Sequence, residues 1–301
     1  AAAQVTSSAF TVDTTAPSIS AIATSALSWG ASLNATEDNS NGTVTVTTSG
    51  AEDGQTVTIT LNSATYTASV SSNGAAVTVT AAGLQALTDG SSYTLTADVS
   101  DAAGNAAAQV TSSAFTVDTL VPTVNSVTAT TVNGSYKKDA QITVQVVFSQ
   151  VVYVTGTPTI TLDTGGSGDV VSYSSGSASQ YLDFVYTVGT GDTSSDLDYI
   201  STSALALVGS ATIKDVNGND ATLTLPTPGA TNSLADSKAL VIDTTAPSIS
   251  AIATSALSWG ASLNLTEDNS NGTVTVTTSG VEDGQTLTIT LNSATYTASV
   301  S

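Results

Sequence analysis

The chain has 301 residues, with 24 carboxylates against four basic residues, a formal net charge of −20, and no histidine, cysteine or methionine. Nothing on such a surface can displace phosphate counterions, which excludes a nucleic-acid footprint, and an anionic membrane is repelled in the same way. Without His and Cys, the usual nucleophile triads, tetrahedral zinc sites and disulfide staples are excluded too.

Hydrophobic residues make up 40% of the chain and charged residues only 9%. The polar surface is therefore Thr, Ser, Asn and Gly, and folded units are expected despite the acidity. No apolar run approaches the ~18 residues of a spanning helix. Period-two alternation begins at Gly42, where Val44 and Val46 alternate with Thr43, Thr45 and Thr47. Val57, Ile59 and Leu61 alternate with threonines over 55–61. Ala81–Leu87 predicts one helical turn at most. Tyr93, Leu95, Ala97 and Val99 resume the alternation, followed by Ile142, Val144, Val146 and Phe148, then Leu182, Phe184, Tyr186 and Val188. One apolar and one hydroxyl-rich face predict antiparallel sheets buried on one side. Turn dipeptides separate the runs: Asn41-Gly42, Asp53-Gly54, Asn73-Gly74, Asp89-Gly90 and Gly104-Asn105, with Asn217-Gly218-Asn219 in the later stretch.

The chain repeats itself. Residues 13–71 return at 243–301 with 56 of 59 positions identical, the exceptions being Ala35/Leu265, Ala51/Val281 and Val57/Leu287. AAAQVTSSAFTVDT stands at 1–14 and again at 106–119. Asp-Thr-x-x-Pro occurs at Asp13, Asp118 and Asp243, and marks the module starts. The expected division is 1–12 as the last strand of a preceding type A module, 13–117 as type A, 118–242 as a longer type B, and 243–301 as the first part of a further type A. Linkers are nearly absent, and proline stiffens each crossing. About seven short strands per ~100 residues predict an all-β fold of tandem immunoglobulin-like Greek-key β-sandwich modules in a linear rod.

Several motifs carry a family resemblance: VDTTAPSIS, GAEDGQTVTITL, TYTASV and YTLTADVSDAAGNAAA in type A, and FSQVVYVTGTPTITLDTG, GDTSSDLDYISTSALAL and KDVNGNDATLTLP in type B. On these the chain resembles the bacterial immunoglobulin-like domains of giant extracellular proteins, which form the extender regions of repetitive adhesins, biofilm-associated and RTX-type adhesins among them. The resemblance covers essentially the whole chain. It implies a non-enzymatic, structural part of a cell-surface or secreted bacterial protein.

In an Ig-like sandwich the module start, the B–C turn and the F–G turn share one pole. Asp13, Glu52 with Asp53, and Asp101 with Asn105 are therefore expected to converge. Hard cations take several oxygen ligands at once; equally, Asp and Asn in turns satisfy backbone N–H groups without any metal. In the resembled domains such a cluster binds Ca2+ at the interface with the preceding module, which implies Ca2+ here. The type B counterparts are Asp118, Asp215, Asn217 and Asn219, and relatives usually carry Glu where this chain has Gln150. The third set is Asp243, Glu282 and Asp283.

A second acidic set, Glu37, Asp38, Asn39 and Asn41 with Asp89, is expected near the next module's start, either as ligands or as a solvated loop. Asp192, Asp196 and Asp198 are spaced like the start of an EF-hand loop but lack its Gly and distal Glu. Trp29 and Trp259 are either sugar-stacking platforms or packing anchors. The expected partners are neighbouring modules of the same chain, and identical chains laterally if the protein assembles into a filament, sheath or S-layer; glycan binding is the further alternative.

Overall fold

The computed structural model describes residues 3–301 and is nearly all β, built from several sheets. Between Ser18 and Asp118 it forms β1 (Ser18–Ile19), β2 (Ser32–Asn34), β3 (Gly42–Ser49), β4 (Thr56–Leu61), β5 (Ala64–Ser69), β6 (Gly74–Val79), helix α1 (Ala81–Gln85), β7 (Ser92–Tyr93), β8 (Leu95–Asp98), β9 (Val110–Thr111) and β10 (Phe115–Asp118). These pair as β1-β3-β6, as β5-β4-β8-β9, and as β2-β10-β7, with β2 and β10 parallel. The alternation decides which side is buried. Val44 and Val46 of β3, Ile59 and Leu61 of β4, Val77 and Val79 of β6, and Leu95 and Ala97 of β8 meet in one core, while Thr45 and Thr47 face out. The β4–β5 turn places Asn62 and Ser63 at φ 48° and 65°, the left-handed pair that a two-residue hairpin turn requires.

A second core is built from β11 (Val124–Ala129), β12 (Gly134–Tyr136), β13 (Gln141–Thr155), β14 (Thr159–Asp163), β15 (Asp169–Ser175), β16 (Ser179–Thr187), β17 (Thr193–Ser194), β18 (Asp198–Tyr199), β19 (Leu205–Ala206), β20 (Thr212–Lys214), helix α2 (Leu234–Ser237) and β21 (Leu240–Asp243). Strand β13 is long enough to serve two neighbours. Its first half pairs with β11 and β16, its register then shifts after Val147, and its last residues pair with β20. The parallel β2–β10 pair has a counterpart in β12–β21. No residue belongs to both cores.

Residues 243–301 form β22 (Ser248–Ile249), β23 (Thr278–Ser279), β24 (Thr286–Leu291) and β25 (Ala294–Ser299). Of the strand expected over 1–12, residues 1–2 lie outside the described residues, and residues 3–12 pair with no strand. No helix among the described residues is long and apolar enough to cross a membrane.

Candidate metal-binding loop clusters

Three sequence-distant loops meet beside Asp13. Asp101 follows β8 and is buried, with its Oδ1 accepting the Asn105 backbone N–H at 2.7 Å and its Oδ2 accepting Asn105 Nδ2 at 2.8 Å. The Asn105 side chain holds the Asp101 carboxyl below the ordinary carboxylate range, against the opposing effect of burial. The same Nδ2 donates to the Asp13 carbonyl at 3.2 Å. Glu52, from the β3–β4 turn, accepts the Ala102 N–H at 2.8 Å. An open hollow is lined by Thr11, Val12, Asp13, Glu52, Ala102 and Ala103. Asp53 leaves this group: its carboxylate accepts the Ser72 N–H at 2.8 Å. Asp13 Oδ1 is likewise used locally, by the Thr15 N–H at 2.9 Å.

The second cluster repeats the pattern with more amides. Asp215 Oδ1 accepts the N–H groups of Asn217 and Asn219, both at 2.9 Å, and its Oδ2 accepts Asn219 Nδ2 at 2.8 Å. Asn219 Nδ2 also donates to the Asp118 carbonyl at 2.9 Å, and Asn217 Nδ2 donates to the Asp118 carboxylate. Gln150 sits where Glu52 sits in the first unit, but it donates, to Leu120 O at 2.7 Å and to Asp215 Oδ2 at 3.3 Å. An amide can satisfy a carboxylate directly, which a second carboxylate cannot.

This cluster reaches the preceding unit. Asn219 is 0% exposed, and its Oδ1 accepts the Ala35 N–H at 2.7 Å. Asn34 Nδ2 donates to Asn217 O at 3.3 Å. In the third stretch Asp243 and Glu282 line one hollow with Thr245 and Gln285, and Asp283 is exposed beside them.

Among the described residues, no three His, Cys, Asp or Glu side chains gather in a metal-holding group. The donor chemistry of the first cluster nonetheless suits a hard cation better than that of the second. It offers three carboxylates, at Asp13, Glu52 and Asp101, whereas the second offers two, at Asp118 and Asp215, with the amide of Gln150 in the third place.

The chain matches no protein-family model and no curated protein. Among solved structures it is similar to a Ca2+-stabilised adhesin with which an Antarctic bacterium reaches out and binds ice, at 22% identity and a TM-score of 0.49, over 94% of this chain and 62% of that one. It is similar to a 1.5-MDa bacterial ice-binding adhesin, in a structure concerned with its retention at the host cell surface, at 19% identity and a TM-score of 0.48, over 94% of this chain and 82% of that one. It is also similar to a bacterial immunoglobulin-like domain from the M. primoryensis ice-binding adhesin, at 31% identity and a TM-score of 0.25, over 34% of this chain and 95% of that one. The chain thus spans less than two thirds of the length of the first of these structures.

Glu37, Asp89 and the aspartates at 192, 196 and 198 make hydrogen bonds that fix local structure. Asn34 Oδ1 accepts the N–H groups of Thr36 and Glu37 while Glu37 Oε2 accepts the Asn34 N–H, a reciprocal arrangement like a capping box. Asn39 and Asn41 bond within the same face of the unit, and Asp89 accepts the Thr119 N–H at 2.6 Å. Asp38 has a buried Oδ1 without a partner, and burial raises its pKa. Asp192 accepts the Tyr186 hydroxyl and the Gly189 N–H, Asp196 accepts the Leu240 N–H, and Asp198 is buried with bonds from Tyr199 and Gly229. Burial first, and then Asp192, push the Tyr186 hydroxyl well above its ordinary range. Trp29 is buried edge-on against Phe115, so it offers no face to a sugar.

Sequence reasoning missed the contact from Asn34 and Ala35 to Asn217 and Asn219. The signal available was the Asn34–Glu37 spacing, which marks a tight, amide-presenting turn.

Proposed function

We propose that this chain is an extender segment of a large repetitive bacterial adhesin, exported to the cell surface or the surrounding matrix. In this reading residues 13–117 and 118–242 are successive Ig-like Greek-key sandwiches, 1–12 is the last strand of a further module, and 243–301 is the first part of another. The rod spaces and presents whatever the parent protein binds, and it performs no catalysis.

One observation carries the reading: the buried Asn219 side chain ties the Asp215 loop and Asp118 of the second unit to the Ala35 N–H of the first. A polar group buried with all its partners across two units restricts their relative rotation. Two independently cored sandwiches with a short crossing and a shared polar contact make a stiff spacer.

Ca2+ is the proposed second stiffener. Asp13, Glu52, Asp101 and Asn105 would hold it, with Asp243 and Glu282 in the corresponding place of the third unit, and extracellular sites of this kind work at about 10⁻⁴–10⁻³ M. The ion would neutralise loops that otherwise repel one another in a chain of net charge −20. Small-angle scattering with calcium and with chelator tests this. The maximum dimension should be greatest, and the profile most rod-like, with calcium; a profile unaffected by the chelator would sink the calcium part of the reading.

A further inference from the structure

The chain enters the first unit and leaves it at opposite ends of β3. Ser18, just inside the entry, pairs with Ser49 at the last residue of β3. Asp118, at the exit, pairs with Asn34, whose turn leads to Gly42 at the first residue of β3. A pull on the chain is therefore directed along the strands.

Strands β2 and β10 stand in its path. They are parallel, with Thr116 beside Ser32, Val117 beside Leu33 and Asp118 beside Asn34. Ser113 N donates to Ile22 O at 2.9 Å and Thr116 N to Ala31 O at 3.0 Å. A pull draws β2 by its first residue towards the entry and β10 by its last towards the exit. Parallel strands drawn from opposite ends can only slide, and the bonds that cross the slide are loaded together. Strands parted from one end lose their bonds one at a time. Packing opposes the slide as well. Leu33, Phe115 and Val117 are buried, and Phe115 lies edge-on to Trp29 with ring centroids 5.4 Å apart. Because side chains alternate, a slip of one residue would turn Phe115 and Val117 out of the core.

The second unit repeats the device. Strands β12 and β21 are parallel, Gly134 N donates to Ala239 O at 3.0 Å, and Leu240 and Ile242 are buried. Its first strand adds a further hold: β1 pairs with β3 over two residues, whereas β11 pairs with β13 over five.

We propose that these parallel pairs are load-bearing clamps, so that each unit resists a pull along the rod more strongly than a pull that peels the same pair apart. The clamp is β2–β10 in the first unit and β12–β21 in the second, and the second unit, with its longer first strand, gives way last. This rests on the extender reading, since a spacer between a cell and what the parent protein binds is pulled through its ends.

Force spectroscopy on the full chain in two pulling directions tests it. The chain has no cysteine, so introduced pairs give unique attachment points. Thr14→Cys with Leu120→Cys loads β2 and β10 in the sliding direction. Thr36→Cys with Leu120→Cys pulls at adjacent ends of the same strands and peels them. Thr14, Thr36 and Leu120 are exposed, so both variants share one folded state and one stability. The first unit should open at a severalfold higher force in the sliding pull, because forced unfolding reads the unfolding barrier and not the equilibrium stability. The released length identifies the event, about 35–38 nm in the sliding pull and about 28–31 nm in the peeling pull at ~3.3–3.6 Å per residue. Thr14→Cys with Thr245→Cys puts both units in series, and the shorter event should come first. A sliding force no greater than the peeling force, or a second unit that opens before the first, overturns the proposal. Neither result touches the chelator experiment, so the extender reading is tested separately.

Discussion

Gly42 opens β3 directly against the Trp29 ring. A β-carbon there would lie 2.4 Å from Cζ3 and 2.7 Å from Cε3. The ring cannot retreat, because Phe115 closes over it and its Nε1 is already buried without an acceptor. Gly42→Ala should therefore destabilise the first unit by about 1–3 kcal/mol through overpacking, seen as a lower urea midpoint. The counterpart Gly272 would bring a β-carbon to 2.3 Å from Trp259 Cζ3. That ring is only partly buried and has no phenylalanine over it within 243–301. The cost of such a contact is set by how far the ring is free to move, a property of its neighbours.

The loops carry the site, and their chemistry turns on one atom. Gln150 donates from Nε2 to Asp215 Oδ2 at 3.3 Å and to Leu120 O at 2.7 Å. Gln150→Glu would replace the donor with a second carboxylate facing the first. In chelator this should lower the stability of the second unit by about 0.5–1.5 kcal/mol, through the lost hydrogen bond and the repulsion of two facing carboxylates. Calcium should restore it, as a rise in the second unit's unfolding temperature that the unsubstituted second unit does not show; a variant as stable as its parent in chelator would refute this account. The sequence made the loop positions legible, since Asp101–Asn105 and Asp215–Asn219 share a spacing of four and flank turn glycines. It could not show where each side chain points. Glu52 and Asp53 are adjacent, yet one turns to Ala102 and the other to Ser72. Likewise, that the Gln150 amide also reaches Asp215 depends on β13 meeting a loop 65 residues further along the chain.

At the scale of the molecule, two cores share no residue, so unfolding should proceed in two steps. Leu182→Ala, which empties a fully buried site on β16, should cost about 2–5 kcal/mol. Calorimetry should show only one of the two transitions displaced; a single transition moving as a whole would mean that the Asn219 contact couples the units into one cooperative body. The 59-residue repeat separates what sequence alone decides from what needs the tertiary structure. Both copies form the same hairpin, β4–β5 and β24–β25, and the same 3₁₀ turn at Thr24–Ala26 and Thr254–Ala256. These elements draw their hydrogen bonds from within a few residues and from the Asn-Ser turn, so local sequence is enough. The eight-residue β3 shrinks to the two-residue β23, and the counterpart of β2 forms no strand at all. Strand β3 needs β6 and β2 needs β10, and both partners come from outside the repeated stretch. Period-two alternation determines which face of a strand is apolar; whether the strand exists depends on a neighbour to receive its backbone hydrogen bonds and cover that face.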